Sequence, residues 1–404
     1  MSSETADTGS AAATAVPRAP FAILIAMAAI GPLALNIFIP SMPGLQQGFA
    51  SSPGVVQLTL TVYLAGLALC QLLYGPLSDR YGRRPMLIAG MALFVAASIA
   101  CALATSIEML IAARGVQAIG GAAGMILSRA IVRDMYSREK SASVLGYITM
   151  AWVVAPMAAP AIGGILDQHF TFRASFWLLA VIGAMVLAGA VASLPETNLR
   201  LQPDASLIRT KLYAQLLRNR AFRGYTATIS FGAAVFFLYL AVAPFIIITV
   251  RGHSPVEYGM WTIVAALGYM AGNFASGRYS EAIGNDRMIG YGNWLTLAGA
   301  AAMLGFAVAG FTHPASLFVP MAVCAFGNGL TIPNGLTAAI SVDPRNIGSG
   351  AGLAGFVQMT IGALASQAAG YAQGTWHNTG FWAMAVFALL AAAAHPARRT
   401  GHQQ

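Results

Sequence analysis

The sequence predicts an all-α membrane protein of twelve transmembrane helices arranged as two six-helix halves, and three observations predict it. Of 404 residues, 57% are hydrophobic and 9% charged, where a soluble domain carries about 25% charged residues. Residues 19–78 form a run of 60 without Asp, Glu, Lys or Arg, which only a bilayer or an implausibly large dry core could host. The third observation is a repeat. The stretch Gly75-Pro-Leu-Ser-Asp79-Arg-Tyr-Gly82-Arg-Arg84 recurs 202 residues later as Gly277-Arg-Tyr-Ser-Glu281-Ala-Ile-Gly284-Asn-Asp286, an offset of half the chain. Both copies follow an even-numbered helix, so the two halves are expected in parallel orientation. This composition excludes an ordinary soluble enzyme.

A spanning helix needs about 20 mostly apolar residues, so the charge-free intervals count the helices. Residues 19–78 hold the first two, broken at Pro40, Pro43 and the polar stretch from Gly44 to Gly54. Residues 85–107 hold the third, and 109–128, interrupted only by Arg114, the fourth. The fifth to the eighth fall in 141–166, 174–195, 224–250 and 258–277. The stretches 288–342 and 346–397 are each long enough for two, which makes twelve. Between the halves, 195–222 contains Pro195, Pro203 and a concentration of basic residues, with Ile208, Leu212, Leu216 and Leu217 at helical spacing. It reads as an amphipathic linker lying on the inner leaflet. The expected organisation is a disordered cytoplasmic tail at 1–19, an N-terminal half at 20–194, the linker at 195–222, a C-terminal half at 223–396 and a cytoplasmic tail at 397–404.

An even number of spans puts both termini on one side, and loop charge says which. With a cytoplasmic amino terminus, 19 Lys and Arg fall in inner segments, and only Arg173 and Arg251 in outer loops. That asymmetry accounts for the formal charge of +9 without a nucleic-acid partner; no cluster of bases interleaved with aromatics is present. The partner it implies is the lipid bilayer. The first 19 residues lack the short apolar region and cleavage site of a signal peptide. Cys70, Cys101 and Cys324 lie far apart in apolar segments and read as packing residues, so no disulfide or metal site is expected. His169, His253, His313 and His377 each fall in an outer loop, where interfacial solvation explains them.

Four groups of residues stand out. In the first repeat, Gly75 and Gly82 permit a tight inner turn, and Arg80, Arg83 and Arg84 hold it at anionic headgroups. Asp79 is the odd acid there. It is expected to face the start of the eleventh helix, just after Asp343-Pro344-Arg345-Asn346, a contact typically worth about 0.3–1 kcal/mol. Arg83 is expected to pair with Asp134 at the foot of the fourth helix, beside Arg133, so that the loop biases the equilibrium between access states. In the fifth helix Pro156, Pro160, Gly163 and Gly164 crowd into nine residues, which suits a bend where the halves meet and equally suits close packing. Arg114 is the only intramembrane base, roughly 9 Å below the outer end of its helix at the rise of 1.5 Å per residue, and such charges mark substrate or ion paths. Asn36 lies at similar depth. Gln71, Gln117, Asn273, Asn328, Asn334 and Gln358 are further polar residues in apolar spans; Asn36, Arg114, Gln117, Gln71, Asn328 and Gln358 are the candidates for a transport cavity, although each amide could instead tie helices together.

These motifs resemble those of a known family. Gly75, Asp79, Gly82, Arg83 and Arg84 match the loop 2–3 signature of the major facilitator superfamily. Arg114-Gly-Val-Gln117-Ala-Ile-Gly120 resembles its Arg-containing fourth-helix motif, and Ala155-Pro156 through Gly163-Gly164 is similar to the fifth-helix motif of its antiporters, with Ala-Pro where Gly-Pro is usual. Together with Arg129-Ala-Ile-Val-Arg133-Asp134, the chain looks like the twelve-span drug:proton antiporters, specifically the bicyclomycin/chloramphenicol resistance (Bcr/CflA) group. The resemblance implies a major facilitator fold in a bacterial inner membrane. It also implies multidrug efflux of small molecules by alternating access, a proton gradient as energy source, no cofactor and a monomeric unit. One residue departs from the pattern: Asn36-Ile-Phe-Ile-Pro40 carries Asn where that group has Asp. No other span holds a mid-membrane acid, so the usual proton site is missing. With Arg114 unbalanced, the cavity should be electropositive and suit neutral or anionic solutes. A facilitator or uptake symporter on the same fold is the alternative, and a membrane-embedded enzyme or sensor a remote one.

Overall fold

The computed structural model describes residues 21–136, 138–198, 201, 209–372 and 379–396, and within 138–156 only the side chains of Val144, Ile148 and Val154. Among them the chain is helical throughout. The N-terminal half comprises α1 (Phe21–Asn36), a short α2 (Met42–Gly48), α3 (Pro53–Tyr81), α4 (Arg83–Ala102), α5 (Ile107–Met135), α6 (Arg138–His169) and α7 (Phe172–Ser193). A nine-residue α8 (Thr210–Arg218) follows, then α9 (Arg220–Pro244), α10 (Pro255–Ile283), α11 (Asn285–Val308), α12 (Ala315–Ile340), α13 (Ile347–Ala372) and α14 (Thr379–Ala394). Setting aside α2 and α8, these are six spans per half, the fold class expected. Nine segments of the described residues are long and apolar enough to cross a membrane; α6, α10 and the shorter apolar α14 complete twelve.

Local sequence explains most of the boundaries. On the face opposite the basic loops, α3, α5 and α10 each begin behind a serine whose hydroxyl accepts a backbone N–H: Ser52 from Val55, Ser106 from Met109 and Ser254 from Glu257, the last reciprocated by the Glu257 carboxylate. On the basic face, α3 ends at Gly82 with φ +96° and α10 at Gly284 with φ +90°, a backbone that favours glycine. These are the repeat-related glycines. Gly75 corrects its expectation: it lies inside α3, which runs unbroken past Pro76 to Tyr81, so Gly82 alone makes the turn. The polar stretch after Pro43 is also not a bare loop, since α2 occupies Met42–Gly48.

The halves meet along two pairs of helices, α3 against α13 and α6 against α10. On the face opposite the basic loops, the turn Ile39–Ser41 also bears on α9 and α10, closing that side. The linker differs from expectation. Leu216 of α8 is buried with Phe222, Ile229, Ala339 and Leu353 of the C-terminal half, while Leu217 is exposed and Ile208 lies outside the described residues. A helix this short gains more by docking its apolar residues on a packed surface than by lying alone at an interface.

Candidate functional site

Arg114 is the largest fully buried side chain of the described residues, 0% exposed, and four helices hold it. Its Nη1 donates to Ala34 O of α1 at 3.1 Å and to Gln117 Oε1 at 2.5 Å, and its Nε to Thr59 O of α3 at 3.4 Å. Gln117 passes the chain on, donating to Ser98 Oγ of α4 at 2.8 Å. The guanidinium carbon lies 4.0 Å from the Tyr63 ring centre and 4.2 Å from that of Phe38, a cation–π arrangement of about 0.5–2 kcal/mol per ring. Phe176 of α7 stands at 5.8 Å. Tyr63 is itself fixed, its hydroxyl donating to Gly31 O at 3.0 Å.

This geometry differs from a cation open to a shared cavity. Every partner recorded for Arg114 belongs to the N-terminal half. Asn36, 2% exposed, turns its amide to Pro32 O at 2.8 Å and makes no recorded bond to Arg114. Asn328 ties α12 to α9 through Gly232 O at 3.0 Å, within the other half. Gln71 lies instead on the contact between halves, where Cβ atoms built on Gly352 and Gly355 of α13 would meet its carbonyl oxygen and amide. Gln358, on α13, is partly buried. The sequence candidates thus fall into three places rather than one cluster.

Nearby, the seam between α3 and α13 is polar. Gln57 donates to Ser366 Oγ at 2.5 Å, Thr61 to Gln367 Oε1 at 2.7 Å, and Gln367 to Gly54 O at 3.0 Å. The fifth-helix motif forms the other seam. In place of Gly163 a Cβ would strike Ile37 O at 1.7 Å, and in place of Gly164 it would strike Pro255 O of α10 at 2.3 Å; Gly259 meets Pro160 O at 2.5 Å in the same way. The side chain of Pro156 lies outside the described residues, and α6 is continuous through it.

On the basic face, Arg83 bridges Asp79 at 2.8 Å and Asp134 at 3.1 Å and also donates to Ser78 Oγ. Arg84 donates to Val191 O of α7 at 3.0 Å. Only Arg80 of the trio remains turned outward, over Tyr81; Arg83 and Arg84 serve the protein rather than the headgroups. Arg133 is exposed beside this cluster. Asp79 makes no recorded bond to α13; that contact is expected of the state closed on the basic face, and here the opposite face is the one closed by the turn Ile39–Ser41. Asp343 serves the turn before α13, accepting from Arg345 N at 3.2 Å and from the Asn346 amide at 3.0 Å, and the Asn346 donor holds its carboxyl below the usual range. Sequence reasoning missed Glu196, whose carboxylate accepts the backbone N–H groups of Arg83, Arg84, Thr197 and Asn198 at 2.8–3.1 Å. An acid directly after Pro195, just past the end of the sixth span, is its signal. In the second copy of the repeat, His395, 6% exposed, stands 3.6 Å from Asp286, which also accepts from Tyr225.

No group of His, Cys, Asp and Glu suited to a metal occurs among the described residues, and the three cysteines are free and buried. What two helical halves around such seams can do is move against each other, the work of a membrane transporter rather than an enzyme. Residues 24–367 match the model of the Major Facilitator Superfamily, and the chain belongs to that family. It is 30% identical to an MFS-type transporter of Bacillus subtilis, YdgK, over 88% of this chain and 90% of that one. It is 28% identical to Multidrug resistance protein D of Escherichia coli (86% and 87% covered) and 29% identical to a chloramphenicol resistance protein of Pseudomonas aeruginosa (83% and 76%). Among solved structures, a D-xylose-proton symporter aligns with a TM-score of 0.75 at 13% identity, covering 92% of this chain and 95% of that one. The resemblance to resistance transporters drawn from the motifs thus agrees with the comparisons.

Proposed function

We propose that the chain is a secondary active exporter of small neutral or anionic organic compounds, phenicol- or bicyclomycin-like in size. It carries them out through a bacterial inner membrane by alternating access, as a monomer, in exchange for protons. Both termini and the basic loops face the cytoplasm in this reading, because of the asymmetry of Lys and Arg. The resistance proteins among its relatives support export. The observation that carries the substrate class is Arg114: a fully buried cation whose recorded partners are carbonyls, an amide and ring faces, with no carboxylate. Such a centre repels lipophilic cations. Everted membrane vesicles test the proposal: a proton gradient should drive uptake of a phenicol, and a protonophore should abolish it. Uptake indifferent to the gradient would support a second reading, an uncoupled facilitator, which the neutral Asn36 and the engagement of Asp134 with Arg83 favour. No uptake of neutral or anionic compounds under either condition would remove both.

A further inference from the structure

Arg114 holds part of its charge unanswered. A guanidinium has five N–H groups. Nε uses its one on Thr59 O and Nη1 its two on Ala34 O and Gln117 Oε1, whereas Nη2, buried, has no hydrogen-bond partner. None of the ion pairs of the described residues includes Arg114. Asn36 does not substitute for one, since its amide is turned to Pro32 O. Charged donors left buried and unpaired are among the costlier arrangements a protein can hold, which is a physical reason for another state of the molecule to pair them.

The way in is Phe38. It covers one side of the guanidinium at 4.2 Å and sits in the turn between α1 and Ile39–Ser41. That turn bears on α9 and α10 of the other half. Parting the halves there removes the contacts that back this turn and frees it to carry Phe38 off the guanidinium, while Tyr63 is anchored to Gly31 O. We propose that Nη2 of Arg114 is an anion site, completed by a group of single negative charge once Phe38 moves. The group is a carboxylate borne by the transported molecule or a halide ion. One guanidinium with no second base beside it balances one charge, so dianions such as phosphate fit poorly. The rings of Phe38, Tyr63 and Phe176 supply an apolar wall that suits an aromatic acid. This deepens the export reading, on which its place in the transport cycle rests.

The test is the thermal unfolding midpoint of the purified full-length protein in detergent, at constant ionic strength with isethionate as make-up salt. It is titrated with benzoate, its neutral isostere benzamide, and chloride, and repeated with sulfate, a dianion that fits the site poorly, as make-up salt in place of the singly charged isethionate. The expected result is a saturable upward shift with benzoate and none with benzamide, reached at several-fold lower concentration in Phe38→Ala and lost in Arg114→Gln. The same pattern with chloride assigns the site to a halide. Should Arg114→Gln fail to fold, the comparison of wild type with Phe38→Ala decides. The inference is overturned by no saturable shift with either anion in wild type and Phe38→Ala, or by an equal shift with benzamide. It is also overturned by a shift that persists unchanged in a folded Arg114→Gln. Because this assay measures binding alone, export in vesicles without an anion effect removes only the anion site, and an anion effect without export removes only the export reading.

Discussion

Two adjacent glycines of α6 offer a way to separate the packing of a half from the closure between halves. A Cβ added at Gly164 would lie 2.3 Å from Pro255 O and 2.9 Å from Pro255 C, both on the other half. Ordinary contact begins at 3.4 Å, so α6 and α10 must separate by about 1 Å. Overpacking of this kind costs typically 1–3 kcal/mol. The strained contact exists only while the halves are closed at that end, so the cost falls on the closed state and shifts its equilibrium roughly 5–150-fold towards opening. Gly163→Ala is different. Its Cβ would strike Ile37 O at 1.7 Å, inside the N-terminal half, so the cost falls on folding as well. The assay is labelling of Ser41→Cys, which is buried in the turn that closes the seam, by a membrane-impermeant maleimide. The native cysteines are all buried and give little background. Gly164→Ala should accelerate labelling within the stated range with little loss of thermal stability, and Gly163→Ala should lower stability. Wild-type labelling in a Gly164→Ala protein of wild-type stability would refute the claim that this contact holds the halves together.

Three further expectations follow from the geometry. Glu196→Ala removes the acceptor of two backbone N–H groups at the start of α4 and of two more just after Glu196 itself, and the loss of such a cap, about 0.5–2 kcal/mol, should lower the unfolding midpoint, with Glu196→Gln intermediate; an unchanged midpoint in both would show that water replaces the carboxylate. Gln367→Leu removes bonds to Thr61 and Gly54 across the α3–α13 seam, each worth about 0.5–1.5 kcal/mol net, and should speed Ser41→Cys labelling without altering expression. Slower or unchanged labelling would place the hold elsewhere. Asn36→Asp cannot keep the bond donated to Pro32 O and brings a carboxylate near Arg114, which already reaches Ala34 O two residues away, so substrate-induced proton release from purified protein should rise over wild type. Strong release by the wild type, lost on replacing Asp134 and unaltered by Asn36→Asp, would move coupling to the basic face.

How much of this was legible in the sequence depends on the kind of residue involved. Helices were legible because a bilayer excludes charge, so the intervals between Arg and Asp report the spans directly. The end of α5 runs past its interval because Arg129 and Arg133, near its carboxyl end, are favoured by the helix dipole as well as by headgroups. Arg114 was legible as a buried charge, but its surroundings were not. Phe38, Tyr63 and Phe176 are of the same types as the core around them, and only the fold brings residues so far apart in sequence onto one guanidinium. The amides divide the same way. Nothing in the types of Gln71 and Asn328 says that one lies between halves and the other within one.

The repeat shows where that legibility stops. Gly82 and Gly284 share a positive φ because the turn after each second helix demands it, and a backbone demand leaves its mark on residue identity. The side chains that fasten the two turns have no such constraint. In the first copy Arg84 reaches back to the end of α7 through Val191 O, a neutral carbonyl. At the related position of the second copy, Asp286 reaches the end of α14 through His395, whose attraction to a carboxylate depends on the charge of the imidazole. One junction, first turn of the third helix to the end of the sixth, is therefore built twice with opposite signs of charge on the same backbone. The backbone repeats with the fold, while each half has its own electrostatics.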